Sequence, residues 1–461
     1  MRAQGAEPQT LRAAGQDAAT RIAHRLQTGH AGRPRPLIAC PQCACLHERA
    51  PIPVGAQARC RRCDHVLYRR SHLSPSGWVA VTLTALIVFA LANFFPIATL
   101  KLSGMTLEAT LPDAIILTWE QGHEAVAIMT GLFGFALPLA QLLFLLWALL
   151  ELCRGRLPSD FGHGMRVLAA MPAWSMVPVL MLGILVAIVK LSSLATLSTG
   201  PGLWAFAVLT VLMTSLTRAG ARYLWHEAED AGLVEASGAA LAEGLPVAAC
   251  ESCGCVQNLP QDGAAAKCRR CGAAVHLRKP VMASRAWAYV AGATILYFPA
   301  NLLPVMLLRT PAGTSAHTIL GGVIELWQLG SWDLAIVVFV ASIVVPMTKL
   351  FALAFLLLHR RWQGAEAQRQ RTRLYEFVEF IGQWSMLDVF VVILLSSMAN
   401  FPGFSQITAG PGAASFVLVV VLTMLGAMSY DPRSGWDARE AARGTHPAAN
   451  DAHHEAIRET A

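Results

Sequence analysis

The sequence predicts a mainly α-helical, polytopic membrane protein made of two tandem parallel repeats, and three observations lead to this prediction. First, 55% of the 461 residues are hydrophobic and only 14% are charged, whereas a soluble domain carries about a quarter charged residues. Second, the apolar residues form segments of about twenty, the length that crosses the hydrocarbon core of a bilayer. Third, a four-cysteine signature occurs twice, about 208 residues apart, and each copy precedes such segments.

The order of domains follows from these segments. The domains are a disordered tail at 1–36, a zinc ribbon at 37–72, a transmembrane module at 73–222, a linker at 223–246, a second zinc ribbon at 247–280, a second transmembrane module at 281–431 and a disordered tail at 432–461. The first 35 residues contain no apolar h-region, so we expect no cleavable signal peptide.

Eight transmembrane helices are predicted, four in each module. They are expected at about 78–97, 124–150, 171–192 and 203–221 in the first module, and at about 286–306, 333–358, 380–398 and 414–430 in the second. Because four is an even number, both modules would cross the membrane in the same sense. The repeat is therefore predicted to be parallel and not inverted.

The distribution of arginine predicts the orientation. The loops on one side of the predicted helices hold only Lys101 and Arg309, while the segments on the other side are arginine-rich. Those segments contain Arg69, Arg70, Arg154, Arg156, Arg166, Arg218, Arg222, Arg360, Arg361, Arg369, Arg371, Arg373 and Arg433. This positive-inside pattern places both termini and both cysteine blocks in the cytoplasm. It also explains the net charge of +7, which therefore does not indicate a nucleic-acid partner.

Short motifs recur in the same order in both halves and support a duplication. The matches are Asn-x-x-Pro ending at Pro96 and Pro304, proline at Pro138 and Pro346, Trp-Ser-Met beginning at Trp174 and Trp384, and Gly-Pro-Gly beginning at Gly200 and Gly410. Chance alignment of apolar stretches would not reproduce four motifs in near-constant register.

Each cysteine block has the spacing of a zinc ribbon. Two C-x2-C pairs let two turns present four thiolates to one tetrahedral ion. The predicted ligands are Cys40, Cys43, Cys60 and Cys63 in the first ribbon, and Cys250, Cys253, Cys268 and Cys271 in the second. Four sulfurs leave no open position, so a structural zinc ion is expected. Iron fits the same spacing and stays open, whereas a cytoplasmic location disfavours disulfides. Cys45 and Cys255 repeat as well, as additional ligands or as buried thiols.

Two charged residues fall inside predicted helices of the second module. Lys349 lies in the sixth helix and Asp388 in the seventh, both in the cytoplasmic half of the membrane, and ionisable groups at that depth are costly and usually paired or functional. The sequence therefore predicts a polar centre at Lys349 and Asp388, although a pair that only fixes helix packing is an open alternative. The first module has Gln141 and Pro178 at these positions.

Three further polar residues lie within or at the ends of predicted helices. Asn301 and Ser396 are candidate neighbours of the polar centre. Lys190 falls near the end of the third helix, where a long side chain can reach the interface while its stem stays in the apolar region.

The ordered motifs C-x2-C…C-R-R-C, Asn-x-x-Pro, Pro-x-x-Lys-Leu, Trp-Ser-Met-x-Asp-Val-Phe and Gly-Pro-Gly resemble the paraquat-inducible protein A family over residues 37–433. The resemblance implies a bacterial inner-membrane protein that takes part in lipid transport between membranes. It also implies a periplasmic MCE-domain protein and membrane phospholipids as partners. The first module departs from the pattern at Gln141 and Pro178, so a role that needs charge is expected in the second module alone.

The motifs separate the candidate functions. The sequence contains no Gly-x4-Gly-Lys-Ser/Thr loop and no HExxH motif, so ATP hydrolysis and zinc-protease chemistry are not expected, and we predict that the chain is not an enzyme. A lipid-transport subunit is the main hypothesis. The alternative is a redox or metal-stress sensor that uses the cysteine ribbons.

Overall fold

The computed structural model describes residues 36–102, 105–120, 124–173, 175, 177–192, 196–242, 244–310, 313–328, 330, 332–359, 365–382 and 406–436. These residues are mainly helical, which confirms the predicted α class. The rest of the two predicted tails lies outside the described residues.

The first cysteine block folds as two antiparallel hairpins. Strand β1 (Leu37–Ala39) pairs with β2 (Leu46–Glu48), and β3 (Gln57–Arg59) pairs with β4 (Val66–Arg69). The first C-x2-C pair therefore forms the turn between β1 and β2, and the second forms the turn between β3 and β4.

The first transmembrane module follows directly. Its elements are helix α1 (Pro75–Phe94), strands β5 (Ala98–Leu102) and β6 (Met105–Ala109), helices α2 (Leu111–Glu120), α3 (Glu124–Thr130), α4 (Leu137–Cys153), α5 (Phe161–Ala170) and α6 (Val177–Ser192), strand β7 (Thr196–Thr199) and helix α7 (Pro201–Leu216). A π-helical segment, Gly131–Ala136, joins α3 to α4. Helix α1 packs against α4 and α7.

A polar helix, α8 (Ala221–Asp230), begins just after the first module and occupies the start of the predicted linker. The second cysteine block then repeats the two hairpins. Strand β8 (Val247–Ala249) pairs with β9 (Val256–Asn258), and β10 (Ala266–Lys267) pairs with β11 (Ala274–Val275).

The second transmembrane module repeats the first. Its elements are helix α9 (Met282–Leu302), strands β12 (Met306–Thr310) and β13 (Gly313–His317), helices α10 (Ile319–Gln328), α11 (Trp332–Phe339), α12 (Val345–Leu358) and α13 (Ala365–Gly382), strand β14 (Gln406–Ala409) and helix α14 (Pro411–Ser429). A π-helical segment, Val340–Val344, joins α11 to α12. Helix α9 packs against α14 and α12.

Among the described residues, five helices are long and apolar enough to cross a bilayer. They are Pro75–Phe94, Gly131–Cys153, Pro201–Ala219, Ala335–Leu358 and Pro411–Ser429, which correspond to the first, second, fourth, sixth and eighth predicted spans.

The other three predicted spans differ from these five. The third corresponds to α6, whose 16 residues are too few to cross a hydrocarbon core of about 30 Å unless the bilayer thins around them. The fifth corresponds to α9, which has 21 residues but carries Arg285 in its first turn and Pro299 near its end. The seventh, 380–398, lies almost wholly outside the described residues, so the number of eight stays a prediction.

Each module has a small antiparallel sheet at the end of its helices opposite the ribbons. The strand orders are β6-β5-β7 and β13-β12-β14. Leu100 pairs with Leu107 and Leu197 in the first sheet, and Leu308 pairs with Ser315 and Ile407 in the second. These segments were predicted as loops, and the described residues form strands instead. In each sheet, the hairpin that follows the first helix of the module pairs with the strand that precedes its last helix.

The Gly-Pro-Gly motifs pack directly against the Asn-x-x-Pro motifs. The Gly202 N–H donates to the Pro96 carbonyl at 3.0 Å, and the Gly412 N–H donates to the Pro304 carbonyl at 3.0 Å. A Cβ atom would come within 2.8 Å of the Pro96 oxygen at the first glycine and 2.9 Å of the Pro304 oxygen at the second. Glycine is therefore required for this close backbone approach.

The asparagines of the Asn-x-x-Pro motifs make the same local hydrogen bond in both modules, to a carbonyl one turn earlier in their own helix. The Asn93 amide donates to the Phe89 carbonyl at 2.8 Å, and the Asn301 amide donates to the Tyr297 carbonyl at 2.9 Å. The structure thus gives both asparagines the same local role.

Candidate metal centres

The first four-cysteine group forms a compact cluster. The Sγ atoms of Cys40 and Cys63 lie 3.4 Å apart, and those of Cys43 and Cys60 lie 3.5 Å apart. All four atoms lie within 4.8 Å of one another and all four residues are buried. Four sulfurs at about 2.3 Å from a tetrahedral zinc ion would be about 3.8 Å apart, so the cluster can bind a metal ion such as zinc.

The second group has the same geometry. The Sγ atoms of Cys250 and Cys271 lie 3.6 Å apart, and those of Cys253 and Cys268 lie 3.5 Å apart. They too lie within 4.8 Å of one another and are buried. The structure therefore brings together all eight of the cysteines that the sequence predicted as ligands, four in each ribbon.

Four identical turns position these thiols. In each C-x2-C pair the residue after the second cysteine has a positive φ: Ala44 at 60°, Asp64 at 65°, Gly254 at 75° and Gly272 at 71°. Its N–H donates to the carbonyl of the first cysteine at 2.8–2.9 Å. The left-handed residue reverses the chain, so both thiols of a pair face the same point. The second ribbon uses glycine, for which this conformation costs least.

Because the four thiols of a cluster lie so close together, the pKa is raised for some of them and lowered for others. A hydrogen bond with Cys40 raises the pKa of the Cys43 thiol, whereas hydrogen bonds from Cys40 and then Cys43 lower the pKa of the Cys60 thiol. Cys253 and Cys268 differ in the same way, because contacts with Cys250 raise the pKa of the first and lower that of the second. Buried thiols so close cannot all ionise unless a cation balances their charge.

The second ribbon docks on the first module through Arg270 of its C-R-R-C motif. The guanidinium lies 2.8 Å from the Glu229 carboxylate on α8 and 5.7 Å from the ring centroid of Trp225 on the same helix. Trp225 is buried against Phe161 of α5. At Gly162 a Cβ atom would lie 3.2 Å from the Cα of Cys271, so the metal turn contacts α5 directly.

The first ribbon, in contrast, docks on the second module. Arg62 of its C-R-R-C motif stacks over Trp436, with the guanidinium 4.9 Å from the ring centroid. Trp436 is buried in one apolar cluster with the first four cysteines. Arg369 of α13 donates to the Arg62 carbonyl at 3.0 Å, and His65 lies 2.5 Å from Glu376 of the same helix. Residues 432–436, at the start of the predicted tail, therefore belong to the folded domain.

The two ribbons also contact each other around α8. Arg49 of the first ribbon lies 3.3 Å from Glu229, the residue that receives Arg270 of the second. On the second ribbon, Glu251 lies 2.6 Å from Arg433 at the end of the second module. Buried ion pairs with several partners fix relative orientation more than they add stability.

A cavity of about 510 Å³ lies between the ribbons and the helices beside them. Its lining includes Cys40 and Cys250 from the two clusters, Arg222 and His226 from α8, and Glu379 from α13. Both four-cysteine clusters therefore border the same cavity.

The predicted polar centre is described only in part. Lys349 lies in α12 with 1% of its surface exposed, and its Nζ atom is 3.9 Å from the point where a Cβ of Gly382 would lie. Gly382 ends α13, six positions before Asp388 in the chain. Asp388 and Ser396 lie outside the described residues. Lys190 lies in α6, and its side chain is also outside them.

His47 lies beside the first cluster and was not among the predicted ligands. Its Nε2 atom lies 3.3 Å from the Cys60 Sγ atom, and the group Cys45, His47 and Cys60 brings three donor atoms within 4.8 Å of one another. The spacing Cys45-x-His47 directly after the first C-x2-C pair was the available signal.

Similarity to known proteins agrees with the repeat. A family model described as Paraquat-inducible protein A matches residues 76–229 and 283–440, one range for each transmembrane module. The chain is 31% identical over 406 residues to "Intermembrane transport protein PqiA" of Escherichia coli (strain K12), covering 87% of this chain and 95% of the relative.

Two other relatives are similar over most of their length. "Lipophilic envelope-spanning tunnel protein A" of Escherichia coli (strain K12) is 30% identical over 405 residues, with 87% of this chain and 91% of the relative covered. "Probable intermembrane transport protein" of Haemophilus influenzae is 29% identical over 413 residues, with 87% and 96% covered. No solved structure matches the chain with comparable significance.

Proposed function

Since this chain belongs to the paraquat-inducible protein A family, we propose that it is the inner-membrane subunit of a system that transports phospholipid between membranes. The observation that carries the proposal is the match over 87% of the chain to a protein named for intermembrane transport. In this proposal the chain loads lipid into, or receives it from, a periplasmic MCE-domain tunnel protein, and it performs no enzymatic reaction.

The proposed topology has eight transmembrane helices, with both termini and both ribbons in the cytoplasm. The five apolar helices and the positive-inside distribution of arginine support it. The proposed domains are the two ribbons at 37–72 and 247–280, joined by the linker 223–246, and the two modules at 73–222 and 281–431. The ribbons would then lie on the inner face, and the three-stranded sheets would face the periplasm, where a tunnel partner would dock.

We propose that each four-cysteine cluster holds a structural zinc ion. Four buried sulfurs fill a tetrahedral shell and leave no position for a substrate. The bound ion would balance the charge of the thiolates and fix the turns that present Arg62 and Arg270 to their tryptophans. Because ligand geometry alone does not distinguish zinc from iron, metal analysis of the purified protein identifies the ion.

The proposed transport centre is the pair Lys349 and Asp388 in the second module. An ammonium group buried among apolar helices needs a counter-charge, and the Lys349 amine lies beside Gly382, which leads toward Asp388. Ser396 is proposed as a polar neighbour; Asn301 and Lys190 are weaker candidates. A proton moving on and off Asp388 beside Lys349 would couple lipid movement to the proton gradient, consistent with the lack of a nucleotide-binding loop.

Reconstituted lipid transfer tests this proposal. Purified protein in proteoliposomes is combined with its tunnel partner, and transfer of a labelled phospholipid is measured for Lys349→Ala and Asp388→Asn. We expect at least about a tenfold loss, which corresponds to about 1.4 kcal/mol. Gln141→Ala changes the equivalent position of the first module and should keep most of the transfer. Unchanged transfer in both charge variants would refute the polar centre.

The sensor hypothesis is not favoured, because the relatives are named as transport proteins. A redox sensor needs accessible thiolates, whereas all eight cluster cysteines are buried. Metal content before and after mild peroxide treatment separates the two hypotheses, since a structural site keeps its metal until the ribbon unfolds.

A further inference from the structure

The first ribbon contains a second set of metal donors beside its four-cysteine cluster. Cys45, His47 and Cys60 are all buried, and their donor atoms lie within 4.8 Å of one another. Cys60 belongs to both sets. Its Sγ atom is 3.3 Å from His47 Nε2 and 3.5 Å from Cys43 Sγ, so it lies between the two groups.

The spacing of this second set fits one metal ion. With Zn–N at about 2.0–2.1 Å and Zn–S at about 2.3 Å, a tetrahedral ion separates its nitrogen and sulfur ligands by about 3.6 Å. The observed 3.3 Å between His47 Nε2 and Cys60 Sγ is close to that value. Two sulfurs and one imidazole are also the donors that zinc prefers, and three donors leave a fourth position open.

The second ribbon has the two cysteines but not the histidine. Cys255 and Cys268 correspond to Cys45 and Cys60, and Gln257 stands at the place of His47. The Gln257 side chain is used in the fold: it donates to the Lys267 carbonyl at 3.1 Å and accepts from the Arg269 N–H at 3.0 Å. The second donor set is therefore a property of the first ribbon.

We propose that the first ribbon binds a second zinc ion through Cys45, His47 and Cys60, with the Cys60 thiolate bridging the two ions. The inference rests on the proposed zinc ion in the four-cysteine cluster. Binding releases the thiol proton of Cys45 and uses the neutral imidazole of His47. Four thiolates and one Zn²⁺ carry a net charge of −2, and five thiolates with two Zn²⁺ carry −1, so the second ion reduces the charge buried in the ribbon.

The open position makes the second ion exchangeable, while the four-cysteine sites stay closed. The first ribbon would thus fill its extra site only when zinc is abundant, and the second ribbon would not respond. The first ribbon docks on α13 through His65 and Arg62. Zinc binding at the second site could therefore affect the second transmembrane module.

Zinc stoichiometry tests the proposal. The full chain in detergent is equilibrated by dialysis with increasing Zn²⁺, and bound zinc per chain is measured by mass spectrometry. We expect the wild type to bind one ion more than His47→Gln or Cys45→Ser. His47→Gln installs the residue with which the second ribbon folds, so the ribbon should stay intact. Cys255→Ser is the matched control and should bind as much zinc as the wild type.

X-ray absorption at the zinc edge gives a second readout. The spectrum of the zinc-saturated wild type should show a nitrogen ligand that the spectrum of His47→Gln lacks. Any zinc bound by His453 and His454 of the C-terminal tail contributes equally to both spectra, so it does not affect their difference. Equal zinc content in the wild type and His47→Gln would overturn the second site and leave the four-cysteine sites intact. Fewer than two ions per wild-type chain would overturn the structural zinc itself, and the second site with it.

Discussion

The guanidinium of Arg270 lies 2.8 Å from the carboxylate of Glu229, and both side chains are almost completely buried. Glu229 also lies 3.3 Å from Arg49 of the first ribbon and accepts a hydrogen bond from the Ser237 N–H. One carboxylate on α8 therefore links the first module to both ribbons.

Replacing Glu229 should uncouple the ribbons. Glu229→Gln removes the carboxylate that Arg49 and Arg270 share, so Arg270 faces a neutral amide, while Arg49 keeps its pair with Asp230. Breaking a buried ion pair in this way costs about 3–5 kcal/mol. Thermal unfolding in detergent measures the loss. Glu235→Gln is the control, because its side chain is exposed and such substitutions stay within about 0.5 kcal/mol. Equal unfolding temperatures of the two variants would contradict this role of Glu229.

Trp436 and Trp225 should each protect one four-cysteine cluster. Trp436→Ala removes the ring under Arg62 and should expose Cys40 to Cys63, whereas Trp225→Ala removes the ring under Arg270 and should expose Cys250 to Cys271. Truncating a buried tryptophan costs about 3–5 kcal/mol. Alkylation of the thiols, mapped by mass spectrometry, identifies which ribbon opens.

The control for this pair is Trp204→Ala, whose ring is 68% exposed. It should leave both ribbons protected. In the structure each ribbon docks on the module of the other repeat, an arrangement that we call exchanged docking. If Trp436→Ala exposed the second ribbon and Trp225→Ala exposed the first ribbon, exchanged docking would be wrong.

This exchanged docking shows where prediction from the sequence stops. The two four-cysteine clusters were predictable because cysteine spacing fixes them locally, and four left-handed turns produce that spacing. The pairing of Arg62 with Trp436 joins residues 374 positions apart, as their numbers show, and no periodicity encodes such a contact. The sequence order alone would place the first ribbon on the module that follows it.

The sheets opposite the ribbons were missed for a different reason. Strand β5 alternates polar and apolar residues through Thr99, Leu100, Lys101 and Leu102, but five residues between a long helix and a hairpin partner give a weak signal beside the transmembrane pattern. Gly-Pro-Gly was recognised as a repeat marker, while its contact with Asn-x-x-Pro depends on the packing of α1 against α7. The repeat of the motif was therefore predictable, but its close backbone contact with Asn-x-x-Pro was not.

That contact can be tested with single methyl groups. At Gly412 a Cβ atom would lie 2.6 Å from the Leu303 carbonyl oxygen, and at Gly202 it would clash with the Phe95 carbonyl oxygen. Both obstacles are backbone atoms, so Gly412→Ala and Gly202→Ala must move a helix. We expect a loss of about 1–3 kcal/mol each, measured by thermal unfolding. Gly322→Ala is the control, since a Cβ there meets open space, and it should unfold at the wild-type temperature.

His226, which lines the cavity beside the two ribbons, should make the stability of the protein sensitive to acid. Burial, followed by the charges of Arg49, Arg222 and Arg270, lowers the pKa of His226 to about 3. The unfolded chain takes up a proton below its ordinary pKa of about 6.5, while the folded protein does not. Stability from the neutral imidazole is therefore present above pH 6.5 and is lost as the pH falls toward 3. Between pH 7.5 and 5.5 the loss is about 1 kcal/mol.

His226→Gln removes this titration, because glutamine keeps a polar side chain at the edge of the cavity without a proton to gain. Unfolding in detergent at pH 7.5 and 5.5 should show a smaller acid effect in the variant than in the wild type, by about 1 kcal/mol. Zinc content is measured at both pH values, since protonation of thiolates also releases metal and would affect both proteins equally. If the wild type and His226→Gln lost the same stability in acid at equal zinc content, His226 would be protonated in the folded protein. The cavity would then hold enough water or counter-charge to stabilise an imidazolium near Arg49, Arg222 and Arg270.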